Sequence, residues 1–133
     1  MSQITESTTA IVSEDTTLAN TVAATFTPEV DFRRCIGGVV QIEFQFATNP
    51  TADKTLDLYM LPALASGTDY DVYSQGRNIL LGSVKVAAAT TVQRLSILLD
   101  AVNVPYAKLA LYNNGTGQTV TVKKLTVVAR KVG

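Results

Sequence analysis

From Val40 to Phe46 the chain alternates without a break: Val40, Ile42, Phe44 and Phe46 share one parity, and Gln41, Glu43 and Gln45 share the other. Successive side chains of a β-strand point to opposite faces, so this period predicts a strand with one side on a core and the other on water or a polar partner. The same reading recurs along the chain. Val22, Ala24 and Phe26 alternate with Thr21, Ala23 and Thr25, and Thr27-Pro28 closes that run. Thr55 to Leu61 places Leu56, Leu58 and Met60 inward and Asp57 and Tyr59 outward, and Pro62 is expected to end it. Asn78 to Ala87 places Leu80, Val84 and Val86 on one face, and Val92 to Leu99 does the same with Leu95, Ile97 and Leu99. Tyr106 to Tyr112 makes a sixth strand. The last, Gln118 to Val132, changes parity between Val122 and Leu125, and a β-bulge at Lys123-Lys124 would return both halves to one side.

Turn chemistry separates these runs. Asn49-Pro50-Thr51-Ala52-Asp53 and Asn113-Asn114-Gly115-Thr116-Gly117 carry residues that preset or tolerate turn backbone, and Gly37-Gly38 permits a bend or bulge. Ala63 to Arg77 is the longest loop, a length that points to a partner-facing role. About seven strands with no helix and no fixed repeat predict an all-β, antiparallel β-sandwich, jelly-roll-like, with a closed barrel as the alternative. The segment 1–17 is rich in threonine and serine, with Ile4, Ile11 and Val12 as its larger apolar groups. It reads as an extended N-terminal arm preceding the sandwich at 18–133. Such an arm is expected to order on a neighbour, with Ile4, Ile11 and Val12 as anchors, and its removal to leave the domain's own stability unchanged.

Composition excludes most chemistry. The 133 residues include no histidine and one cysteine, Cys35. Ser-His-Asp and Cys-His nucleophiles, the usual zinc sites and internal disulfides are therefore ruled out. Cys35 reads as a small buried hydrophobe. The acids are scattered, with no pair marked out for acid–base work, so no catalytic residue, metal ligand or cofactor is assigned and an enzyme is not expected. Eleven basic and eleven acidic residues cancel, which offers no drive toward nucleic acid, and Arg33-Arg34 and Lys123-Lys124 read as solvated charge. No apolar run approaches a membrane span, and the first residues do not resemble a secretory signal.

Three weaker motifs have plain readings beside the functional ones. Asn114-Gly115-Thr116 matches a glycosylation acceptor but reads first as a hairpin turn. Asp69-Tyr70-Asp71 would supply two oxygens to a calcium ion, with no further ligand set by spacing. Tyr70 and Tyr73, on the long loop, are the pair of rings that would serve a sugar-binding face.

The words of the central strands and turns carry a resemblance. Leu56-Asp57-Leu58-Tyr59-Met60-Leu61-Pro62-Ala63-Leu64 with Gly67-Thr68-Asp69-Tyr70 resembles a family of small virion structural proteins of tailed bacteriophages. So do Ile79-Leu80-Leu81-Gly82-Ser83-Val84, Ala89-Thr90-Thr91-Val92-Gln93-Arg94-Leu95, and Lys108 through Gln118. It covers roughly residues 55 to 130 and not residues 1–54. The resemblance implies a particle component without enzymatic activity, of the capsid decoration or cement kind. Its implied partners are the major capsid protein and neighbouring copies of itself, and its implied place is the capsid surface of a virion made in the host cytoplasm. A tail, baseplate or fibre component is the alternative, and a carbohydrate-binding adhesion module is the reading from another class.

Overall fold

The computed structural model describes residues 3–75 and 77–133. The strands are β1 (Ile4–Val12), β2 (Thr16–Leu18), β3 (Ala23–Thr25), β4 (Val30–Asp31), β5 (Cys35–Phe46), β6 (Thr55–Ala63), β7 (Ile79–Lys85), β8 (Gln93–Leu99), β9 (Tyr106–Asn114) and β10 (Val120–Val132). One sheet has the order β1-β10-β5-β8, with β2 continuing β1 along β10. The other has the order β3-β9-β6-β7, with β4 continuing β3 along β9. Every pairing is antiparallel. The chain crosses between sheets after β2, β4, β5, β7, β8 and β9, which is a jelly-roll-like sandwich whose first two strands are each broken in two.

The alternating residues fill the space between the sheets. Phe32, Ile42, Phe44, Phe46, Leu58 and Leu111 are among those fully buried. Phe44 meets Phe46 edge to face, with centroids 6.0 Å apart. The ladder between β5 and β10 slips between Val122 and Lys124, so the predicted bulge is present and keeps Val120, Val122, Leu125 and Val127 all inward. A second slip opposite Arg130/Lys131 leaves Ile36 as the extra residue. Gly38 is needed beside it, because a Cβ there would lie 2.1 Å from the Val128 carbonyl oxygen.

Several expectations are corrected. There are ten strands rather than about seven. The segment read as an extended arm is part of the sheet: β1 pairs with β10 from Ile4↔Val132 to Val12↔Leu125, and Ile11 and Val12 are buried in the core. Threonine and serine suit a strand as well as an arm, and the pairing partner lies more than a hundred residues away in sequence. Val22 is exposed, not inward, because Thr21 has φ 59° and breaks the alternation before β3. Leu80 is exposed and Leu81 packs on the core instead, because the β6–β7 ladder pairs Leu58 with Gly82 but Tyr59 with Leu80. Leu95 has the inward parity, opposite Ile42, but sits on an edge strand and stays open to solvent. Pro62 does not end its strand. It pairs with Ala107 while its carbonyl accepts the Asp71 N–H at 3.0 Å on the side away from β9, where a missing N–H breaks no ladder bond.

Candidate functional site

The residues that carried site expectations do not come together. Ile11 and Val12 are core, and Ile4 stands exposed at the start of β1. Tyr70 donates its hydroxyl to the Glu29 carboxylate and accepts the Gly67 N–H at 3.1 Å. The Lys108 ammonium lies 4.4 Å above its ring. Glu29 also accepts from Ser66 Oγ at 2.7 Å and the Gly67 N–H at 3.0 Å. These donors, Tyr70 first, hold the Glu29 carboxyl below its ordinary range, and the hydrogen bond that Tyr70 gives to Glu29 pushes its phenol up. Tyr73 lies elsewhere, on the outer face of the second sheet. It meets Tyr59 edge to face at 5.6 Å beside Leu61, Ala110 and Tyr112. Its hydroxyl is buried with no hydrogen-bond partner among the described residues, and burial raises its pKa. Tyr106 is capped by the Arg33 guanidinium at 5.1 Å. The rings are thus engaged in internal contacts, and no phenylalanine or tyrosine is among the exposed large side chains of the described residues. With no tryptophan in the chain, neither sheet presents the aromatic platform on which a sugar ring stacks.

The polar groups are similarly committed. Asp57, buried, accepts from Ser83 Oγ at 2.7 Å and Asn114 Nδ2 at 2.9 Å, tying β6 to β7 and β9. Asn113 donates to the carbonyls of Leu18 and Gln118 at 3.1 and 2.8 Å, and the buried Thr116 hydroxyl donates to its Oδ1 at 2.6 Å. The Asn114-Gly115-Thr116 tripeptide is therefore occupied as a turn. Glu43 pairs with Arg94, and Asp15 with Lys123. Cys35 is buried, its thiol directed at the Gly37 carbonyl. No group of three or more potential ligands could hold a metal ion among the described residues.

Asp31 is the most strongly perturbed carboxyl. Arg33 donates to both of its oxygens, at 3.0 and 2.8 Å, and Lys131 stands 3.5 Å away. The Arg33 hydrogen bond, ahead of the Lys131 charge, holds Asp31 well below the usual carboxylate range. A carboxyl whose folded pKa is depressed contributes stability that is present above its unfolded pKa and is lost as pH falls below it. Thermal midpoints should accordingly fall as pH drops below about 4. Asp31→Asn should flatten that part of the profile, and an unchanged acid limb in Asp31→Asn would show that the pair is inert.

What remains open to a partner is aliphatic and lies at one end. The register places the starts of β1, β5, β7 and β9 and the ends of β6, β8 and β10 together. Of the ten exposed large hydrophobics among the described residues, seven lie there: Ile4 and Ile36, the loop residues Leu64 and Val72, and Ile79, Leu80 and Leu98. Leu64 is 90% exposed, and Val72 and Leu98 are each 83% exposed. The loop carrying two of them is pinned rather than loose. Glu29 holds Ser66 and Gly67, Pro62 holds Asp71, and the Asn78 side chain bonds the Val72 carbonyl and the Ser74 N–H. Leu98 stands between two shallow grooves, one lined by Met60, Ile79 and Leu80 and the other by Ile36, Val39 and Val128. Sequence reading missed this set, because a single leucine in a loop carries no periodic signal.

Among solved structures, the fold is similar to the C-terminal family 6 carbohydrate-binding module of LamC, a marine laminarinase from Zobellia galactanivorans. That match has TM-score 0.57 and 10% identity, and covers 92% of this chain and 99% of that one. It is also similar to a family 4 carbohydrate-binding module, with TM-score 0.54 and 11% identity, over 86% of this chain and 69% of that one. The domain is a jelly-roll-like antiparallel β-sandwich. No protein-family model and no curated protein matches its sequence, and at these identities the likeness to the modules is one of fold.

Proposed function

We propose that this module is a bacteriophage virion structural protein that decorates the capsid, seated on the outer surface of the major capsid shell through its aliphatic end. The observation that carries the reading is that the strongly exposed Leu64, Val72 and Leu98 lie at one end, the first two on a hydrogen-bonded loop and the third on β8, with no exposed ring among the described residues. Rigid aliphatic knobs suit pockets on a protein surface, since little side-chain or loop freedom is lost when they dock. The resemblance of residues 55 to 130 to tailed-phage virion proteins supports the same reading. Repetition over a shell lattice turns modest contacts into firm occupancy. A tail, baseplate or fibre position would use the same end, and copies per particle separate the two, hundreds for a shell and a dozen or fewer for a tail. A glycan-binding adhesion module is the alternative from another class, and carbohydrate-binding modules share this chain's fold.

The triple variant Leu64→Ser/Val72→Ser/Leu98→Ser should keep the parental thermal midpoint, because these side chains are already in water. Its occupancy on purified particles should fall at least tenfold, the loss of about 1.4 kcal/mol or more of seating energy. Undiminished decoration by the triple variant would refute the seating end. Glycan binding by the isolated domain, abolished by Tyr70→Ala or Tyr73→Ala, would establish the adhesion reading in its place.

A further inference from the structure

The outer edge of β1 has no partner among the described strands, and its pattern fits a second copy of itself. The Gly133 N–H donates to the Gln3 carbonyl at 3.0 Å, one step beyond the Ile4↔Val132 pair. Bond-exchanging residues alternate along an antiparallel ladder. Gln3, Thr5, Ser7 and Thr9 therefore turn their main-chain groups to β10, while Ile4, Glu6, Thr8 and Ala10 turn theirs to the open side. The run is regular from Ile4 to Ala10, and the ladder shifts only between Ala10 and Val12. Natural edges are usually blunted by proline, lysine or short length. This one holds neither residue, and Glu6 is its single charge.

We propose that β1 pairs antiparallel with β1 of a second copy about a two-fold axis at Ser7, so that one sheet runs unbroken through both molecules. In that register Ile4 faces Ala10 of the second copy, Glu6 faces Thr8, and Ser7 faces Ser7. Ile4, exposed in the single chain, gains an apolar neighbour, and the outward N–H and C=O groups of Ile4, Glu6, Thr8 and Ala10 find partners. Charge selects against the neighbouring register centred on Glu6, which sets two carboxylates directly opposite each other. Centring on Thr8 runs Ile4 against the irregular Val12. The contact is isologous and closes as a dimer; it takes Ile4 from the aliphatic end, whereas Leu64, Val72 and Leu98 lie outside β1.

Sedimentation velocity of the full chain should show a concentration-dependent dimer. Thr8→Pro deletes an N–H on the open side and leaves the β10 ladder intact, so it should weaken the dimer at least tenfold while the thermal midpoint holds. In a Cys35→Ser background, Ser7→Cys should oxidise to a disulfide-linked dimer, because facing residues at a non-hydrogen-bonded site have Cα atoms about 4.5 Å apart, within disulfide reach. Thr5→Cys, which faces Thr9, should not. A wild-type chain that stays monomeric up to millimolar concentration overturns the proposal, as does failure of Ser7→Cys to cross-link. The cross-link decides the matter even if Thr8→Pro does not fold.

Discussion

Phe44→Asp is expected to abolish cooperative folding. Phe44 is wholly buried between the sheets and packs edge to face on Phe46. Truncating a buried phenylalanine costs about 3–5 kcal/mol, and leaving a carboxyl there without a partner costs several kcal/mol more. Domains of this size have about 5–15 kcal/mol in total, so the sum is of the order of the whole stability. Gln41→Asp is the companion variant, one strand face away and exposed, and should fold with nearly the parental midpoint. A cooperative, native-like Phe44→Asp in thermal or urea unfolding would contradict the assignment of faces.

Deleting residues 1–12 should be almost as damaging, the opposite of what an arm would give. The deletion removes Ile11 and Val12 from the core and strips β10 of its partner from Leu125 to Val132. Burying such side chains is worth about 1.5–3 kcal/mol each, before any ladder bonds. At about 2–8 °C of midpoint per kcal/mol in domains of this size, the expected fall is about 10 °C or more. A truncated domain with the full-length midpoint would return residues 1–12 to the status of an appendage.

Strands buried on one face and wet on the other were legible from their letters. Val40 to Phe46 announces its inner face by strict alternation, and the Val122/Leu125 parity change announces the bulge that the ladder contains. What escaped depended on partners distant in sequence. Nothing within Ile4–Val12 tells a strand from an arm, because its threonines and serines satisfy either, and the deciding contact is with β10. Leu80 and Leu81 exchange places for the same kind of reason, since the extra residue is counted against β6. Tyr70 and Tyr73 were rightly set on one loop, but a backbone that turns between them sends one ring to Glu29 and the other to Tyr59. The aliphatic end is a property of the assembled topology, contributed by strand termini from the whole length of the chain.

The place of β10 has a consequence for how the molecule is made. It is the last of the ten strands to be made, yet it lies inside its sheet, bonded to β1 and β2 on one side and β5 on the other. Until it emerges, β1 and β2 have no ladder and β5 has only β8. The second sheet, β3-β9-β6-β7, is complete one strand earlier. The nascent chain therefore carries a finished layer with a bare apolar inner face, waiting for its cover. The first sheet cannot close before β10 has been made, its assembly is slowed by pairings between strands distant in sequence, and the interval before β10 docks is the one most open to misassembly.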